Sequence, residues 1–217
     1  MNYKTILFDF DGTVFDTVEG ITKCIQYALR KHGVDEPDLN QLRCFAGPPL
    51  VDKFTEVYGV TEEEANRLVT DFRERYAPIG VYESKPFPGI GDFIRRLRAA
   101  GLTVGVATSK PQTHAELLIE RAALTDCFDI VVGSQPGLNN QRKHQVVRRA
   151  MDGLGAETES TVLIGDTKYD VEGAKIVGIP CIGVRWGYAA PGELEAAGAI
   201  RIAEDMDELE RMLTDER

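Results

Sequence analysis

From residue 88 onward, short apolar runs alternate with stretches whose apolar residues recur at helical spacing. No other feature of the 217-residue chain restricts its fold so strongly. Residues 102–107, 130–132, 161–164 and 180–184 read as buried strands. Between them, Ile90/Phe93/Ile94/Leu97, Ala115/Leu118/Ile119/Ala122 and Val146/Val147/Ala150/Met151 each form one face of a helix. Gly101 falls where a helix ends on a left-handed residue, and Pro111 where the first turn of the next helix is expected. Strand and helix in alternation require crossover connections, so the expected fold is a mostly parallel sheet with helices on both faces. Residues 5–8 add a strand at the start.

One connection breaks this rhythm. Residues 9–101 separate the first strand from the next, whereas a plain crossover needs ~10–15 residues. The surplus reads as helical. Val18, Ile21, Ile25, Ala28 and Leu29 make one stripe, opened by Asp16 with Glu19 and closed by Gly33. Leu50, Val51, Phe54 and Val57 make a weaker one. Thr61 with Glu64 is a capping-box pattern that leads into Ala65, Leu68, Val69, Phe72 and Tyr76. Residues 15–82 are therefore expected to form a small helical domain inserted into an α/β core of residues 1–14 and 83–217, with the stiff stretch 85–89 at the return. The alternative is three extra helices packed rigidly on the core.

The strand ends carry the chemistry. Asp9 and Asp11, two residues apart at the carboxyl end of the first strand, point the same way, and that end of a parallel sheet is where ligands bind. Asp166 closes another apolar strand, and Asp170 follows about one helical turn later. Four carboxylates meeting there would repel by ~4 kcal/mol per close pair at an effective dielectric of 20. A hard divalent cation removes that repulsion, and oxygen-only ligands favour Mg²⁺ over zinc. Thr108 and Ser109, before a helix start, offer a seat for phosphate oxygens. Lys143 supplies the local cation that a phosphorylated substrate beside four aspartates requires.

Composition narrows the partners. A net charge of −10 argues against nucleic acid or an anionic membrane bound through bulk charge. No apolar run approaches the ~18 residues of a membrane span, and no leader pattern is read at the start. The four cysteines form no CxxC pair, as expected for reduced thiols in a cytoplasm.

Taken in order, Asp9-x-Asp11-Gly12-Thr13, then Thr108, then Lys143, then Gly165-Asp166 with Asp170 resemble the signature motifs of the haloacid dehalogenase superfamily. Three further strings make the chain most similar to the phosphoglycolate-phosphatase-like branch. They are Ala46-Gly47-Pro48-Pro49-Leu50, Thr108-Ser109-Lys110, and Gly178-Ile179-Pro180 through Val184-Arg185-Trp186-Gly187-Tyr188. The resemblance covers essentially the whole chain. It implies a Rossmann-like core, a helical cap that closes over substrate, and Mg²⁺-dependent hydrolysis of a small phosphorylated metabolite. Asp9 would be the nucleophile that becomes an aspartyl-phosphate, and Asp11 the acid and then the base. Asp9, Asp166 and the Asp11 backbone carbonyl would hold the ion, with Asp170 supporting the site directly or through water. Thr108, with Ser109 beside it, and Lys143 would bind the phosphoryl group. Arg43 and Lys53, flanking the Gly-Pro-Pro turn of the cap, are candidate substrate contacts. Residues 133–142 depart from the branch pattern, which carries an arginine shortly before the lysine, and this leaves Lys110 as an alternative phosphate ligand.

Asp11 favours phosphate esters, because the dehalogenase and phosphonatase branches lack an acid there. Trp186 and Tyr188 are expected to pack beneath the C-terminal segment. A nucleoside monophosphatase and a phosphosugar mutase share every motif, and a non-catalytic relative would usually have lost one of Asp9, Asp11 or Asp166. A receiver domain would need no cap, and no GxxxxGK[ST] phosphate loop occurs. A monomer and a homodimer are equally compatible with the sequence.

Overall fold

The computed structural model describes residues 3–135 and 142–214. In chain order the elements are β1 (Thr5–Phe8), β2 (Phe15–Asp16), α1 (Val18–Lys31), α2 (Leu50–Tyr58), α3 (Glu62–Tyr76), β3 (Lys85–Pro86), α4 (Ile90–Ala99), β4 (Thr103–Pro111), α5 (Gln112–Arg121), β5 (Ile130–Ser134), α6 (Lys143–Leu154), β6 (Thr161–Gly165), α7 (Lys168–Val177), β7 (Cys181–Val184), α8 (Glu193–Ala197), β8 (Arg201–Ala203) and α9 (Met206–Thr214). They divide into two compact units, Met1–Phe15 with Pro86–Arg217, and Asp16–Lys85.

The first unit is a six-stranded sheet in the order β5-β4-β1-β6-β7-β8, parallel at every pairing. β1 lies inside it, with Phe8 opposite Val106 of β4 on one side and Ile164 of β6 on the other. The chain winds outward from β1 first through β4 and β5, then through β6 to β8, so the winding reverses beside β1. Ligands of open α/β sheets gather outside the strand carboxyl ends at such a reversal.

Side-chain alternation along β1 explains the two helical layers. Leu7 joins a core with Val146, Val147 and Ala150 of α6 and Val171 and Ala174 of α7. Phe8 points the other way and meets Phe93 of α4 edge-on, with ring centres 6.2 Å apart. Gly101, at φ +83°, ends α4 as expected. Pro111 falls one residue before α5, because its backbone still belongs to β4, opposite Ser134.

The second unit is helical. α1 buries Ile21, Ile25, Ala28 and Leu29, and α3 buries Ala65, Leu68, Val69 and Phe72, which are the stripes read from the sequence. Phe54 of α2 packs on Phe45, with ring centres 4.8 Å apart. The Thr61–Glu64 capping box is formed. Asp16 stands one residue before the cap position of α1. It lies in β2, its Oδ1 accepts from Val18 N–H at 3.3 Å, and Thr17 takes the cap position.

Candidate active site

Asp9 follows β1 directly, and its N–H continues the ladder to the carbonyl of Ile164 at 2.8 Å. The chain then turns sharply. Gly12 has φ +82°, and a Cβ there would stand 2.1 Å from Asp166 Oδ2, so both backbone and space demand glycine. The turn brings Thr13 round to donate its hydroxyl to Asp166 Oδ1 at 3.1 Å. Asp166 stands just beyond β6 and is fully buried. Its second oxygen accepts from Tyr188 N–H at 2.8 Å. The indole of Trp186 donates to the Thr13 carbonyl at 3.1 Å. The segment after β7 thus clamps both the Asp166 carboxylate and the turn that carries Asp11.

Gly187 makes that clamp possible, since a Cβ there would stand 2.1 Å from Asp166 Cβ. Gly187→Ala is expected to destabilise the protein by about 1–3 kcal/mol through overpacking, read as a lower melting temperature. An unchanged melting temperature would show that Asp166 gives way freely.

Asp170 is the third residue of α7, where its Oδ2 accepts from the N–H and hydroxyl of Thr167 at 3.0 and 3.1 Å. Its other oxygen is 2.6 Å from Lys143 Nζ, which is also 2.6 Å from Asp9 Oδ1. Asp9 Oδ1 has no well-aligned hydrogen-bond donor and relies on that charge. Lys143 opens α6, as the sequence predicts, and is buried. The absence of a side chain at Gly173 makes room for it, because a Cβ there would stand 2.6 Å from Lys143 Cγ. Residues 136–141, which include most of the stretch departing from the branch pattern, lie outside the described residues.

One carboxylate oxygen from each of Asp9, Asp166 and Asp170 lies within 4.8 Å of the others. Three buried carboxylates face one ammonium there, an imbalance that a divalent cation would remove. Burial, with repulsion from Asp170 and Asp11 added, outweighs the attraction of Lys143 and pushes the Asp9 carboxyl up to about 6. Asp166 is held well above the ordinary carboxylate range by burial first, and then by the charges of Asp170 and Asp9. Burial opposes the Lys143 ammonium, yet Asp170 and Asp9 together keep it more firmly protonated than an exposed lysine. The donor set is all oxygen and carries excess negative charge, so it fits a hard cation.

The carboxylate of Asp11 is not part of this trio. It turns to Lys110, whose Nζ is 2.8 Å from Asp11 Oδ1. Thr108 and Lys110 are both buried, while Ser109 between them is exposed. Arg43 and Lys53 belong to the helical unit, where Lys53 pairs with Glu56 at 2.8 Å.

Sequence reasoning missed Gln112. Its side chain accepts from Gly133 N–H and donates to the Val131 carbonyl at 2.7 Å, fastening the end of β5 beside the site. It also missed the roles of Trp186 and Tyr188, although their place just past a strand carboxyl end was a usable signal.

A family model for haloacid dehalogenase-like hydrolases matches residues 6–184. A 5'-nucleotidase of Pseudomonas aeruginosa is 38% identical over 98% of this chain and 96% of its own length. A phosphoglycolate phosphatase of Rhodospirillum rubrum is 27% identical over 95% of this chain and 89% of its own length. The solved structure of a predicted phosphatase from Clostridium acetobutylicum superposes with a TM-score of 0.94 at 37% identity, over 99% of this chain and 100% of that one. The buried aspartate trio, the lysine clasp and the Gly12 turn therefore stand in a chain that belongs to the haloacid dehalogenase-like hydrolase family.

Proposed function

We propose that the chain hydrolyses a small phosphate monoester through an aspartyl-phosphate on Asp9, with Mg²⁺ held by Asp9, Asp166, Asp170 and the backbone carbonyl of Asp11. That it is a phosphoric monoester hydrolase follows from its family and relatives; the intermediate, the ion and the substrate are our reading. The observation that carries it is the meeting of Asp9, Asp166 and Asp170 around one ammonium at the carboxyl edge of the sheet.

The free oxygen of Asp9 attacks phosphorus, the ester P–O bond breaks, and Asp11 gives its proton to the departing oxygen. Asp11 then takes a proton from water, which attacks the same phosphorus and releases phosphate and the Asp9 carboxylate. Lys143 holds Asp9 in place and offers its ammonium to the phosphoryl oxygens, and Thr108 adds a hydroxyl. A bound divalent cation supplies charge neutralisation between the carboxylates and the phosphoryl oxygens. Ser109, Arg43 and Lys53 are further candidates for substrate contact.

Release of phosphate from p-nitrophenyl phosphate tests this reading. Turnover that persists in EDTA would refute it. The Pseudomonas relative supports a second reading of the substrate, a nucleoside 5'-monophosphate. A panel containing phosphoglycolate, nucleoside monophosphates and sugar phosphates decides between them, and isomerised sugar phosphate among the products would indicate a mutase.

Trp186, the chain's only tryptophan, offers a readout independent of turnover. Its indole holds Thr13, and Thr13 holds Asp166. Titration with Mg²⁺ is expected to change tryptophan emission in a saturable way, and Asp166→Ala is expected to abolish the change. A response that survives in Asp166→Ala would contradict ion binding at that carboxylate.

A further inference from the structure

β4 loses register with β5 just before it ends. Ala107 is opposite Val132 and Pro111 is opposite Ser134, so Thr108, Ser109 and Lys110 face Gly133 alone. The surplus residues form a bulge, a device that re-aims side chains at sheet edges. The Thr108 hydroxyl fixes it by accepting from Lys110 N–H at 3.1 Å. Gly133 accommodates it, because a Cβ there would stand 2.7 Å from the Lys110 carbonyl oxygen.

The bulge turns Lys110 inward, leaving its side chain 3% exposed. Its ammonium is 2.8 Å from Asp11 Oδ1 and 5.6 Å from the centre of the Phe10 ring. That ring is itself stacked on Phe15 at 4.5 Å. A lysine normally keeps its head in water and several rotamers open. Here stem and head are immobilised, and the carboxylate they meet has only a broad torsional preference of its own.

We propose that Lys110 is a positioning residue for Asp11, fixing its carboxylate for proton delivery to the leaving oxygen, and that it is not a phosphate ligand. The inference rests on the acid role proposed for Asp11. A second cation, Lys143, already stands against Asp9, where the phosphoryl group would form. Taking up phosphate would require Lys110 to abandon a part-buried carboxylate.

A misplaced acid harms departure of a basic oxygen more than departure of an acidic one. Phenyl phosphate and p-nitrophenyl phosphate share a shape but differ in the acidity of the phenol released. Their kcat/KM values report steps up to that release. In Lys110→Met, kcat/KM is expected to fall for both, with the phenyl to p-nitrophenyl ratio lowered ~10-fold, part of the 10²–10⁴ that general acid catalysis provides. Lys110→Gln, which keeps an N–H donor, is expected to recover most of that ratio; if the methionine variant fails to fold, Lys110→Ala is read in its place, with the same lowered ratio expected. An unchanged or raised ratio overturns the proposal, whether the two substrates fall in parallel with a raised KM, as for a lost phosphate ligand, or with a lowered melting temperature, as for a structural defect. Wild-type turnover that survives Asp9→Asn would instead refute the aspartyl-phosphate reading, and is scored separately.

Discussion

Asp9→Asn is expected to lower turnover of p-nitrophenyl phosphate by at least ~10³-fold, the scale on which loss of a covalent nucleophile acts. The amide matches the carboxylate in size but cannot attack phosphorus. Lys143 keeps its 2.6 Å partner in Asp170, so the fold around the site is expected to survive. Acid-quenched wild-type protein should carry one phosphoryl group during turnover, and the variant none. Turnover within tenfold of wild type, or an equal phosphoryl load in both proteins, would remove Asp9 from the role assigned to it.

The second large effect runs in opposite directions for stability and activity. Asp166 is fully buried, its described hydrogen-bond donors are a hydroxyl and a backbone N–H, and no ion pair is found for it among the described residues. Removing its charge therefore strands no buried cation, which is the usual cost of breaking an internal pair. Asparagine can still accept from Tyr188 N–H, while its amide donates to the Thr13 hydroxyl. Without divalent ions at neutral pH, Asp166→Asn is expected to be about 1–3 kcal/mol more stable than wild type, while losing nearly all turnover and Mg²⁺ affinity. A lower melting temperature would show that the buried charge is better compensated than the geometry indicates.

The Asp9 carboxyl is raised to about 6, so between the ordinary carboxylate value near 3.9 and that point the folded chain binds more protons than the unfolded one. Asp166 is shifted the same way. Stability of the ion-free protein should therefore fall as pH rises through about 6, and saturating Mg²⁺ should flatten the decline. Thermal melts in EDTA and in Mg²⁺ across this window check both statements.

The sheet was legible because its inner strands each carry a short apolar run and amphipathic helices separate them. The carboxylates were legible because Asp9 and Asp166 each end such a strand. What escaped notice depends on distance in space. Nothing near Lys143 in the chain announces that it joins Asp9 to Asp170, and the bulge at 108–110 is visible only against β5. β8 and α8 were missed because a three-residue edge strand and a five-residue helix are too short for periodicity to register; α9 was missed although Met206, Leu209 and Leu213 recur at helical spacing. Trp186 and Tyr188 stand just past the end of β7, but their hydrogen-bond partners could not be read from the chain. Their contacts are a backbone carbonyl and a carboxylate from remote segments.

The inner position of β1 has a consequence for synthesis. The strand that leads into Asp9 leaves the ribosome before both of its partners, β4 and β6, which come from residues 103–111 and 161–165. Tyr188, which secures the last carboxylate, emerges later still. A chain cut short of these segments therefore cannot bring Asp9, Asp166 and Asp170 together, and productive folding must wait for contacts between distant stretches, the kind that close slowly.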